Sequence, residues 1–247
     1  MYTELELDHI LATIARLEQR IRERFPDSGL SRVAAELRRL GAEQEALLVR
    51  LRRPIWILRI GAALGIAGML AIAGVLAMLA LRVSMHVQTI VDLLQASESA
   101  VNDIIVLSLA IFFFLSLETR VKRERALRSL HRLRSVVHVV DMHQLSKDPE
   151  HLLEPRKPTA SSPQRSFTRF ELSRYLDYCS ELLSLTSKLA ALHVQHRNDA
   201  VVLGAVNDIE TLAASLSSKI WQKIMILDIA MPAGPARRAG SQLELDA

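Results

Sequence analysis

Four side chains on one stretch have the chemistry of a site: His131, Arg134, His138 and Asp141. They follow one another at i, i+3, i+7 and i+10, so a helix would carry them on one side. Imidazoles and a carboxylate can ligate a metal ion. The spacing, however, matches neither HExxH nor the Glu-x-x-His pattern of di-iron bundles. We read these residues as a polar, hydrogen-bonded face that sets how a helical bundle docks, with no metal assigned. His143 is near in sequence but off that side, and His193 and His196 form a weaker pair.

Cys179 is the other candidate, in the run RYLDYC with Tyr175, Asp177 and Tyr178. A nucleophilic cysteine needs a lowered pKa, usually from a nearby histidine or a helix N-terminus. Cys179 falls about three turns into its helix, on the apolar side, so it reads as a core residue. As the chain's one cysteine it excludes an internal disulfide and fits a reducing compartment. The sequence holds no Walker loop, no dinucleotide fingerprint and no GxSxG. No catalytic, cofactor-binding or metal-binding residue is assigned.

These residues are organised around a membrane. Ile60 to Leu81, IGAALGIAGMLAIAGVLAMLAL, is 22 residues without a charge, closed by Arg59 and Arg82. At ~1.5 Å per residue a helix of that length covers ~33 Å, enough for a bilayer core. It lies too far inside the chain for a signal peptide. Gly61, Gly65 and Gly68 are its packing residues, because small side chains let helix backbones approach in lipid. A second span begins near Val101, its uncharged run Ile104 to Leu117 made bulky by Phe112, Phe113 and Phe114. Residues 83–99 are expected to extend the first span or lie in the interface.

Charge sets the orientation. Arg50, Arg52, Arg53 and Arg59 precede span one, and Arg120, Lys122, Arg123 and Arg125 head the basic run after span two. The connection carries Arg82 against Asp92, Glu98 and Asp103. The positive-inside rule puts both termini in the cytoplasm. The eight flanking cations named here also read as contacts for anionic lipid headgroups. Nucleic acid is excluded as the partner, because the basic run lies against the membrane without a reader motif.

The rest of the chain follows a helical period. With 4% aromatic residues and no alternation at period two, the expectation is an all-α protein. Residues 1–53 read as N-terminal cytoplasmic helices, the first over residues 3–24 with a Thr3–Glu6 capping box. In the second helix Gln44 interrupts the apolar stripe, either as a register-setting polar contact or, the favoured reading, as a partly exposed position. Residues 54–117 form the transmembrane hairpin, and 118–148 extend span two into the cytoplasm as one helix. Residues 149–167 read as a linker, 168–228 as a helical hairpin capped by Thr168 and Glu171, and 229–247 as a disordered tail.

Four stretches carry a resemblance: IRERFPDSGLSRV, SLETRVKRERALRSLHRLRSVVHVVDMHQLSKDPE, FELSRYLDYCSELLSLTSKLAAL and SKIWQKIMILD. Together they resemble a family of uncharacterised bacterial membrane proteins with two spans. The resemblance implies an inner-membrane location and transfers no functional residue.

The expected function is non-enzymatic: an integral membrane protein whose cytoplasmic bundle serves as scaffold, sensor or regulator. Its partners would be the anionic bilayer, a cytoplasmic protein and, through the glycine face, a second copy of the chain. One alternative is a small oligomeric channel, against which neither span carries a polar stripe. The other is a membrane-face enzyme using the histidine-rich helix, against which no catalytic spacing stands.

Overall fold

The computed structural model describes residues 4–83, 90–147, 149, 167–195 and 198–230. Every element among them is helical: α1 (Leu7–Arg24), α2 (Gly29–Arg52), α3 (Trp56–Val83), α4 (Ile90–Leu145), α5 (Arg169–Ala191) and α6 (Ala200–Ala230). The chain divides into two compact units, Met1–Glu45 with Ser129–Ala247, and Ala46–Arg128.

The first unit is a helical bundle. Ile10, Ile14, Leu17 and Ile21 of α1 are buried, as their three-and-four spacing requires. So are Leu30, Val33, Leu37 and Leu40 of α2, and Leu130, Leu133, Val137 and Val140 of α4. α5 packs on both α1 and α6. Thr168 and Glu171 form the expected capping box at the start of α5. Asp199 caps α6, its Oδ1 accepting from the N–H groups of Val201 and Val202.

Two boundaries differ from the sequence reading. α1 starts at Leu7 with Glu6 at its N-cap and no side-chain cap bond, while Thr3 lies outside the described residues. Residues 90–99 belong to the helix of the second span rather than extending the first, since α3 ends at Val83 and α4 starts at Ile90. Residues 150–166 of the expected linker and 231–247 of the expected tail lie outside the described residues.

Gln44 is a further correction. It is buried, 3% exposed, because its Nε2 donates to Ser129 Oγ at 2.7 Å. The polar residue in the stripe meets a polar residue on another helix, which one helix's pattern cannot reveal.

The second unit holds most of the apolar surface. Leu64, Ile72, Leu76, Ile105, Leu109 and Phe112 are all exposed, arranged around α3 and α4 rather than turned inward. Such surface belongs in lipid rather than water. Three helical stretches are long and apolar enough to cross a membrane: Gly29–Leu79, Ser97–Leu145 and Ala200–Ile229. The most apolar windows of the first two hold no buried share, whereas 28% of that window in the third is buried.

Candidate functional site

The second unit contains a clamp built on Glu118. α2 ends at Arg52, Pro54 breaks the chain, and α3 begins at Trp56. The first N–H groups of α3 therefore lack partners within the helix. Glu118 of α4 answers one of them: its Oε1 accepts from the Ile55 N–H at 3.2 Å. Oε2 accepts from Arg59 Nε at 2.7 Å, and Lys122 Nζ stands 2.7 Å from Oε1. The Lys122 ammonium, the Arg59 guanidinium and the Ile55 amide hold the Glu118 carboxyl well below its usual range, at about 2. The carboxylate is thus charged throughout the physiological range and ties the foot of α3 to α4.

In the sequence Glu118 is one of two acids, with Glu124, among the bases that follow the second apolar run. The signal was present: Glu118 and Lys122 are four apart, and the acid closes the apolar run. What it caps lies 63 residues away in the chain.

The clamp separates the eight flanking cations by environment. Lys122 is 13% exposed, turned toward Glu118. Arg59 is shared between Glu118 and solvent, and Arg123 is half-buried. Arg50, Arg52, Arg53, Arg120 and Arg125 are exposed. Arg120 places its guanidinium 5.5 Å from the Phe113 ring centroid, back toward the apolar run.

The three span glycines part company in the same way. Gly65 faces Phe114, where a Cβ would come within 3.0 Å of the ring. Gly61 and Gly68 face open space.

On the C-terminal part of α4, His131, Arg134 and His138 are exposed, and Asp141 is half-buried. Asp141 Oδ1 accepts from Gln144 Nε2 at 2.7 Å. Among the described residues, no three of His, Cys, Asp and Glu stand together as a metal site would require. On this helix the histidine engaged in packing is His143, on the neighbouring side. Its ring lies against the α2 backbone at Gly29, where a Cβ would collide with it. Burial, with Arg32 and Lys147 nearby, pushes the His143 pKa down.

Cys179 is fully buried, and burial pushes its thiol up to about 12. An aromatic cluster surrounds the neighbouring Tyr175, with Phe25 and Phe167 each at 5.4 Å between ring centroids. Lys147 Nζ stands 4.4 Å from the Phe167 centroid. This corner holds α1, α5 and the end of α4 together.

No family model, no curated protein and no solved structure matches the chain. The functional reading therefore rests on its own residues.

Proposed function

We propose that this chain is a non-enzymatic protein of the bacterial inner membrane. A two-span hairpin, α3 and the first part of α4, anchors a cytoplasmic bundle that acts as a scaffold, sensor or regulator through protein partners. One observation carries the reading. α4 is a single helix from Ile90 to Leu145, with the uncharged run of span two and the buried bundle stripe both on it. A stiff helix can pass a displacement in the membrane to the bundle. The anchoring hairpin is closed at its foot by Glu118.

In this reading both termini are cytoplasmic, consistent with the basic clusters on either side of the hairpin. α6 stays in the bundle, supported by its buried stripe Val202, Val206, Ile209, Leu216, Ile220 and Ile224. Arg50, Arg52, Arg53, Arg120 and Arg125 meet anionic headgroups, each worth about 1 kcal/mol near the surface. The open sides of Gly61 and Gly68 suit a second copy of the hairpin.

Photo-crosslinking in living cells tests the partner claim. A crosslinker at Ser135 or Met142, both exposed on cytoplasmic α4, should yield discrete protein adducts that a crosslinker at Ser97 does not. Identical patterns at all three positions would contradict it.

A further inference from the structure

A cleft of about 400 Å³ opens between α2 and the cytoplasmic end of α4. That size falls within the ~300–1,000 Å³ range of small-molecule pockets. Its floor is hydrocarbon: Val33, Leu40 and Val136 are buried, and Val139 stands at the mouth. Its charges come from both walls. α2 supplies Arg32 and Glu36, and α4 supplies Arg132 and His143, with Lys147 acting on His143 from beyond the helix end.

The acid of the cleft is already engaged, whereas the cations are not fully used. Both oxygens of Glu36 accept from Arg39. Arg132 gives Nη1 to Glu43 Oε2 at 2.7 Å, which leaves its other N–H groups available. Arg32 has no carboxylate partner among the described residues. His143 closes the cleft, its pKa lowered by burial and by Arg32 and Lys147.

We propose that this cleft binds a small monocarboxylate with a short apolar body, its head held by Arg32 and Arg132 and its chain lying on the valine and leucine floor. Guanidinium groups match a carboxylate fork, and the floor rewards an apolar tail. The Glu36 carboxylate in the wall disfavours a dianion such as a phosphate monoester. A bound carboxylate also offsets the positive charge near His143, so binding should strengthen as pH falls toward 6. The inference deepens the sensor reading by naming a ligand class. Its binding test is independent of the partner crosslinking, so either can fail alone.

The probe is octanoate, titrated calorimetrically into the full chain in nanodiscs of zwitterionic lipid, with empty nanodiscs subtracted. Octanoate should bind, and octanol and acetate should bind at least about tenfold more weakly, because each lacks one half of the recognition. Arg32→Gln removes the free cation and Val139→Phe fills the mouth. Both positions are exposed, and each variant should lose affinity about tenfold or more without a change in thermal melting. Should one variant melt differently, the other decides. His143→Gln should flatten the pH dependence. Absence of binding in the parent, or equal binding in parent and both variants, would overturn the proposal. Displacement of octanoate by added phosphatidylglycerol would assign the cleft to a lipid and overturn the free-acid claim.

Discussion

Gln44 stands where the apolar repeat of α2 calls for a hydrocarbon, and its carboxamide is answered by Ser129 of α4. Its Oε1 finds no partner among the described atoms. A half-satisfied buried amide is a specificity device more than a source of stability. Truncating one partner should cost about 1–3 kcal/mol, because the other is left unpaired. The double variant Gln44→Leu with Ser129→Ala should melt at or above the parent. Denaturant melts of the four proteins would check this, and additive losses would refute the coupling.

Cys179 and His143 make two further predictions at this scale. Cys179 is buried with its thiol pushed up to about 12, so a maleimide at neutral pH should leave the folded chain unlabelled. Cys179→Ala should cost about 1–2 kcal/mol and no function. His143 has a folded pKa below its ordinary 6.5. The folded state therefore takes up its proton later than the unfolded chain does. Its contribution to stability is complete above 6.5 and is lost as pH falls through the folded value. A melting series between pH 8 and 5 should show that loss in the parent and a smaller one in His143→Gln.

At the scale of elements, the clamp at Glu118 and the continuity of α4 do the structural work. Glu118→Ala removes the partner of an amide, a guanidinium and an ammonium together. Hydrogen bonds to charged groups contribute about 1.5–3 kcal/mol each at most, and the exposed Arg59 contributes less. The variant should insert normally but melt earlier in nanodiscs, and unchanged melting would remove the clamp from the account. Proline at Ser135 breaks α4 on an exposed side, at about 3 kcal/mol or more. It should speed proteolysis of the bundle while leaving the spans inserted. Ser129 is unsuitable for that test, because it also holds Gln44.

These elements also show what the sequence disclosed and what it withheld. The stripes of α1, α5 and the C-terminal part of α4 were legible because each buries one face, and periodicity reports that directly. The Thr168–Glu171 box was legible because its bonds are local. The partners of Gln44 and Glu118 were not, since each joins residues distant in the chain. The histidines were the misleading case. Regular spacing drew the eye to His131 and His138, which are exposed, while His143 off that side is the one packed against Gly29. Spacing tells which residues share a face, but not which face meets a neighbour.

At the scale of the whole molecule, the account turns on which helices cross the membrane. Three stretches are long and apolar enough. α6 differs from the other two in that its apolar window is itself partly buried, 28% against none, and it carries Asp208, Glu210, Lys219, Lys223 and Asp228. Charges of that number are costly in a bilayer core. A two-span chain puts both ends of α6 in the cytoplasm, and a three-span chain puts them on opposite sides. The direct measurement is labelling by a membrane-impermeant maleimide in a Cys179→Ala background, with Ser97→Cys, Ala200→Cys and Asp228→Cys made one at a time. The account predicts that Ser97→Cys labels in intact spheroplasts, whereas Ala200→Cys and Asp228→Cys label only after the membrane is opened. Labelling of Asp228→Cys from outside, or protection of Ser97→Cys, would contradict it.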